Sequence, residues 1–361
     1  MMKKITVIGA GAFGFALAKH LSDKIISPDE YHWTDTMGEI KSLDIFDINV
    51  ELIEHLKLER SQKYFFPESR VNDLVKPTTD MKAAVKDADI LILSLPAQHI
   101  RGFIKKAKDS LKNGVIILNA AKGIEVDTNK FISEIIKEEL DTTDYTLAVL
   151  SGGMIAKEFI SGFGVFGADI SCEDKDVGLL LQQVFSSKKL RVYLNDDILG
   201  VESAGALKNV ASIAAGFMDG LGFPYGSKTL ILSLVAYEIR CISIKMGAKS
   251  HTFRIHTQSF GNDFLMSTTG NTRNREFGQR VAQGTSAVEV IEQMKKENKT
   301  AEGYYSAKVA HSIVEKHSLK SPIINMVYDV LYANKDIRKC VEELMSSDLE
   351  PTLNCSFHGI C

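Results

Sequence analysis

Two groups of residues in this 361-residue chain have types and spacings that could do chemistry. The first is Gly9-Ala10-Gly11-Ala12-Phe13-Gly14, a G-x-G-x-x-G run. It stands between a β-branched apolar stretch, Ile5 to Ile8, and a helical pattern carrying Phe15, Leu17, Ala18 and Leu21. In that setting the first glycine makes a tight turn, the second lets the backbone approach a pyrophosphate, and the third lets helix pack on strand. The helix start then offers N–H groups and partial positive charge to the phosphates. Gly9, Gly11, Ala12, Phe13 and Gly14 are therefore read as cofactor-binding, the alternative being a glycine turn without a cofactor. Asp35 follows a candidate second strand, Tyr31 to Thr34. An acid there accepts bonds from the adenosine ribose and repels a 2′-phosphate, which favours NAD over NADP. The same aspartate could instead cap the next helix.

The second group is a lysine out of place. Val201 to Gly216 is small and apolar on nearly all sides, the pattern of a helix buried all round, yet Lys208 sits in its middle. A buried lysine is costly unless it is paired or working, and desolvation is how a lysine amine comes to serve as a proton acceptor. A lysine snorkelling from a helix edge is the alternative. Downstream, residues 262–276 (NDFLMSTTGNTRNRE) are polar and turn-rich inside a helical stretch, where functional loops tend to sit.

These residues need a scaffold. Ile5–Ile8, Ala88–Leu95 (closed by Pro96), Val115–Asn119 and Leu147–Leu150 are apolar runs without polar alternation. Helical patterns at Met81–Lys86, Ile100–Leu111 and Lys130–Leu140 separate them. Such spacing implies a parallel sheet covered on both faces. Residues 36–76 read as polar and mostly helical or irregular. From Gly200 onward the pattern is helical. The fold class expected is α/β, a Rossmann-like parallel-sheet domain over 1–195 followed by an all-helical substrate domain over 196–361. Hydrophobic residues make up 45% and charged residues 25%, and 43 basic against 46 acidic side chains give a net charge of -3, which argues against a nucleic-acid partner. The five cysteines, Cys172, Cys241, Cys340, Cys355 and Cys361, form no CxxC pair, so neither a disulfide framework nor a metal site is expected, and a reducing compartment fits. No stretch reaches the ~20 apolar residues of a membrane span.

Taken together, GAGAFG, LSLPAQHIR, NAAKGIE, GALKNVASIAAG, GNDF and TRNR resemble the NAD(P)-dependent glycerol-3-phosphate dehydrogenase family, in order and over nearly the whole chain, from Ile5 to about Met345. The resemblance implies an active site between two domains, a small phosphorylated substrate, a homodimer and a cytoplasmic enzyme. By it Lys208 matches the proton acceptor, Asn209 a substrate ligand, and Lys122 a second lysine near substrate and nicotinamide. Asp263 matches the aspartate of a Gly-Asp-Leu motif, in a position to orient Lys208, although alone it could be a helix cap. Thr272, Arg273 and Asn274 match a triplet that holds the phosphate and part of the cofactor. Glu302 matches a glutamate near the cofactor ribose, and Pro96, Gly152 and Ala156 keep cofactor-side places. The chemistry agrees: Arg273 and Asn274 offer a phosphate a guanidinium and neutral donors.

The chain departs from the family pattern at Gly153-Met154, where a proline and a hydroxyl are usual, and in DFLMSTTGNTR, which lacks the usual Thr-Cys. Two rivals stand beside this reading. One is a dehydrogenase of the same architecture acting on another phosphorylated polyol or hydroxy acid. The other is an NAD-binding regulator without turnover, which would have no reason to keep Lys122, Lys208, Asp263 and Arg273 together.

Overall fold

A computed structural model describes residues 4–27, 40–297 and 299–346. The chain divides into two compact units, one formed by residues up to 122 with 130–201, the other by 123–129 with the residues from 202 onward.

The first unit is built on an eight-stranded sheet. Its strands are β1 (Lys4–Ile8), β2 (Ser42–Phe46), β5 (Val75–Thr78), β6 (Ile90–Leu93), β7 (Val115–Asn119), β8 (Tyr145–Gly152), β9 (Phe166–Cys172) and β10 (Leu190–Asn195), in spatial order β10-β9-β8-β7-β6-β1-β2-β5. A separate two-stranded sheet pairs β3 (Ser61–Gln62) with β4 (Phe66–Arg70). The apolar runs are the inner strands β1, β6, β7 and β8. Their residues point alternately to two cores. Ile5, Val7, Ile90 and Ile92 pack with Phe15, Leu17 and Leu21 of the Ala12–Ile26 helix. Leu91, Leu93, Ile117 and Val149 pack with Ile100, Ile104, Ile132 and Ile136 on the opposite face. Burial on both faces is why these strands show no polar alternation.

The structure refines the strand reading. Residues 36–76 also contain strands that the pattern hid, since β2, β3, β4 and the start of β5 fall there among helical and irregular residues. β2 is disguised by Asp44, which Lys4 Nζ on the neighbouring strand neutralises at 3.1 Å. β5 carries Pro77, tolerated because β5 is an edge strand. The sheet is also not purely parallel, because β8 and β9 run antiparallel. Tyr31–Thr34 and Asp35 lie outside the described residues, and the strand beside β1 is β2.

The second unit is helical. Its longest helix, Ile198–Gly220, starts in the first unit and continues into the second. Ala206, Leu207, Val210, Ala211, Ile213, Ala214 and Ala215 are all fully buried on it. Glycines on both helices permit its close crossing with the Arg273–Ala282 helix. A Cβ on Gly216 would meet Arg275 O at 2.2 Å, and one on Gly278 would meet Ile213 O at 2.4 Å. The segment 262–276, expected as a loop, is instead two helices, Asp263–Thr269 and Arg273–Ala282, joined by a tight turn at Gly270. Polar residues confused that reading because many face inward and bond to one another. Among the described residues no helix is long and apolar enough to cross a membrane, and no group of three or more His, Cys, Asp or Glu could hold a metal ion.

Candidate active site

The strand order of the first sheet reverses at β1, which has β2 on one side and β6 on the other. In open α/β sheets ligands bind outside the carboxyl ends of the strands at such a point. Gly9 to Gly14 follow β1 there. Gly9 has φ +103°, and a Cβ on it would meet Ser94 O at 2.6 Å. A Cβ on Gly14 would lie 1.9 Å from Gly9 O, so the fold itself demands glycine at both positions. Gly11 differs, since a Cβ there would meet nothing within 4 Å. Its glycine leaves open space beside an Ala12–Ile26 helix start that carries no side-chain cap and no acid in its first turn. That clearance and those N–H groups fit a dinucleotide pyrophosphate. Ala12 and Phe13 pack their side chains partly onto the core. Pro96 is the N-cap of the Ala97–Ala107 helix that follows β6.

The acid directly after the strand beside β1 is Asp47, which the sequence reading passed over. Its Oδ2 accepts the Ala10 N–H at 2.8 Å and its Oδ1 the Asn49 N–H at 3.0 Å. The signal that could have found it is Ile45-Phe46-Asp47, an apolar run ending in an acid.

Lys122 follows β7 closely, and its Nζ donates to Gly152 O at 2.9 Å. Gly152 is glycine for a packing reason, because a Cβ would lie 2.4 Å from Gly167 O on β9. Ala156 opens the short Ala156–Ile160 helix, and Met154 is buried in the core.

In the second unit the polar residues converge. Lys208 is 7% exposed and Asp263 not at all, and Lys208 Nζ donates to Asp263 Oδ1 at 3.0 Å and to Ser267 Oγ at 2.6 Å. Lys208 is therefore buried and paired, not snorkelling. Asp263 and Ser267 are four residues apart on one helix and so share a face. That spacing was the available signal for Ser267, a site residue the sequence reading missed. One turn along the lysine helix, Ser212 Oγ donates to Ser267 O at 2.7 Å and lies 3.0 Å from Thr272 Oγ1. Thr272 Oγ1 donates to the same carbonyl at 3.0 Å. Thr272 thus stands at the N-cap of the Arg273–Ala282 helix with its hydroxyl turned to the lysine cluster. Asn274 Nδ2 donates to Asn209 Oδ1 at 3.0 Å, and Asn274 Oδ1 accepts the Gly303 N–H at 2.9 Å, beside Glu302 at the start of the Glu302–His317 helix. Arg273 is mostly outside this network, donating to Thr300 Oγ1 at 3.1 Å.

The arrangement holds a charged amine rigidly by one carboxylate and one hydroxyl. It adds a helix start bearing an arginine, which suits an anionic group. The second unit thus brings together Lys208, Asn209, Asp263, Thr272, Asn274 and Glu302, with Ser212 and Ser267 added. The glycine turn, Pro96, Lys122, Gly152 and Ala156 belong to the first unit.

Comparison with known proteins follows the same division. A family model described as the NAD-dependent glycerol-3-phosphate dehydrogenase N-terminus matches residues 4–176, and one described as the C-terminus of that enzyme matches residues 197–342. The chain is 36% identical over 347 residues to a glycerol-3-phosphate dehydrogenase (NAD(P)+) of Fusobacterium nucleatum, covering 96% of this chain and 98% of that one. A protein of the same name from Staphylococcus aureus is 32% identical over 349 residues, covering 96% and 99%. The crystal structure of a glycerol-3-phosphate dehydrogenase from Coxiella burnetii shares the fold with a TM-score of 0.84 at 22% identity, over 96% of this chain and 99% of that one.

Proposed function

Since this chain belongs to the NAD-dependent glycerol-3-phosphate dehydrogenase family, we propose that it interconverts sn-glycerol 3-phosphate and dihydroxyacetone phosphate, with Lys208 taking and returning the proton. The observation that carries this reading is the buried Lys208–Asp263–Ser267 cluster, tied through Ser212 and Thr272 to the helix start that bears Arg273. A bound nicotinamide accepts or supplies the hydride. In the oxidative direction Lys208 must first give up its own proton, and the neutral Nζ then takes the proton of the substrate's secondary hydroxyl as its carbon becomes a carbonyl. In the reductive direction Lys208 Nζ returns a proton to that oxygen as it becomes an alkoxide. Asp263 and Ser267 fix the direction in which the amine points. We assign Lys122 to polarising the same oxygen, and Asn209, Thr272, Arg273 and Asn274 to the substrate and its phosphate. Gly9, Gly11, Ala12, Phe13, Gly14, Pro96, Gly152, Ala156 and Glu302 fall to the coenzyme, with Arg273 reaching part of it.

Asp47 supports a preference for NADH over NADPH. A carboxylate has about four acceptor sites, so Asp47 can take a ribose hydroxyl in addition to its two backbone donors, and it would repel a 2′-phosphate. A cytoplasmic homodimer is the assembly and location this family reading favours.

The test is direct. Purified protein is mixed with dihydroxyacetone phosphate and either NADH or NADPH, and the loss of reduced-nicotinamide absorbance is followed. Rapid oxidation with NADH is expected. Oxidation with NADPH alone would remove the role given to Asp47. No oxidation with either, in folded protein that binds coenzyme, would overturn the substrate assignment.

A further inference from the structure

A buried charge cluster that the mechanism does not use lies in the second unit. Asp219 stands near the end of the lysine helix, three turns beyond Lys208. Lys228 Nζ, only 8% exposed, donates to Asp219 Oδ1 at 2.8 Å and to Oδ2 at 3.0 Å. Arg275 Nε donates to Asp219 Oδ2 at 2.5 Å. The other edge of the same guanidinium donates to Thr269 O at 2.7 Å and Gly270 O at 3.0 Å. Those carbonyls end the helix that carries Asp263 and Ser267, where the backbone runs out of helical N–H donors. The turn from Gly270 leads straight to Thr272 and Arg273, and Gly270 O also accepts the Thr272 N–H at 3.0 Å. The backbone of Arg275 touches the lysine helix where Gly216 leaves room for it.

We infer that Asp219, Lys228 and Arg275 are positioning residues that set the substrate-phosphate loop against the lysine helix. This rests on the reading of Thr272–Asn274 as the phosphate site. One planar fork spans a carboxylate on the lysine helix and two carbonyls on the aspartate helix, so it fixes the turn between the catalytic pair and the arginine helix start. Lys228 completes the coordination of the carboxylate, so Asp219 cannot swing away from Arg275. None of the three bonds to Lys208, Asp263 or Arg273. Their effect is to hold a helix start in place.

The experiment compares Asp219→Asn, Arg275→Lys and Arg275→Ala with the wild-type chain, using dihydroxyacetone phosphate, unphosphorylated dihydroxyacetone and inorganic phosphate as an inhibitor. Arg275→Lys keeps the charge and can still reach Asp219, but a point ammonium cannot also span both carbonyls. The ratio of kcat/KM for the phosphorylated over the unphosphorylated ketone is expected to fall about tenfold or more in each variant, because misplacing a binding loop by about 1 Å costs that much or more. The inhibition constant of inorganic phosphate should rise in parallel while NADH affinity stays unchanged. Equal loss with both ketones, no change with either, or loss of NADH binding would each overturn the inference. Arg275→Lys and Asp219→Asn serve if Arg275→Ala does not fold. A wild-type protein that fails to prefer the phosphorylated ketone overturns the substrate reading, and the inference with it. A wild-type preference that the variants retain overturns the inference alone.

Discussion

An ammonium inside a helical bundle is stable only where something replaces its water. For Lys208 that is the Asp263 carboxylate at 3.0 Å and the Ser267 hydroxyl at 2.6 Å. Removing one partner of a buried pair strands the other, which typically costs about 3–5 kcal/mol. Asp263→Ala is therefore expected to lower stability in chemical denaturation as well as turnover, while Ser267→Ala spares stability by comparison. Lys208→Ala should reduce kcat by about a hundredfold or more with NADH still bound, the scale of a lost general acid–base group. Full activity in that variant would end the role assigned to the lysine. Asp47 makes a separate residue-level case. Its charge, and not its acceptor geometry alone, is what turns away a 2′-phosphate. Asp47→Asn should therefore lower the ratio of kcat/KM for NADH over NADPH by about tenfold, roughly 1.4 kcal/mol, a modest interaction between charges a few ångströms apart in a partly wet site. An unchanged ratio would remove Asp47 from the ribose site.

Helices in the second unit are joined by buried polar groups as well as apolar packing. Glu238, on the Tyr225–Lys245 helix, is 4% exposed and accepts the N–H groups of Ile323 at 3.0 Å and Ile324 at 2.9 Å. It caps the Pro322–Tyr332 helix, which has no side-chain cap of its own. Burial pushes the Glu238 carboxyl up to about 7, against the pull of the two backbone donors. The folded state then holds a proton between the ordinary value of 4.5 and about 7 that the unfolded chain has released. Stability attached to this group is thus full at low pH and is lost as pH rises through that window. Glu238→Gln fixes the neutral state, so its melting temperature should gain on that of the wild type between pH 5 and pH 7.5. A gap independent of pH would show that Glu238 does not titrate there. How much of these elements could be read in advance depended on what disguised them. The inner strands β1, β6, β7 and β8 were legible because both their faces are apolar. β2 and β5 were not, since Asp44, Lys76 and Pro77 break the pattern and only Lys4 and the edge position explain them. Lys208 was legible because everything around it is small and apolar. Its partner Asp263 could be placed only through the family resemblance. Ser267 could then be found from its spacing four residues after Asp263, whereas the Asp219–Arg275 pair depends on a contact 56 residues apart in sequence that no local pattern encodes.

Across the whole molecule the glycine turn lies on the first compact unit and the lysine cluster with Arg273 on the second, so most of the proposed coenzyme roles fall on one unit and most of the proposed substrate roles on the other. If binding follows that division, damage to one task should leave the other measurable. Gly11 offers a clean probe. Unlike Gly9 and Gly14 it is not required by packing, since a Cβ there meets no atom within 4 Å and its φ of -66° suits any residue. Gly11→Val should therefore melt at the wild-type temperature without coenzyme, yet lose the stabilisation that NADH confers. For the wild type that stabilisation is about 2.7 kcal/mol at a coenzyme concentration of roughly 100 times Kd. Arg273→Ala should behave in the opposite way, keeping the upward shift with NADH while its KM for dihydroxyacetone phosphate rises. Thermal unfolding with and without NADH, run beside steady-state kinetics, distinguishes the two. Loss of the NADH shift in Arg273→Ala would make coenzyme binding the main work of that arginine. The phosphate would then fall to Thr272, Asn274 and the N–H groups of the helix they begin, because the second unit presents no other arginine at that helix start except Arg275, which Asp219 already holds.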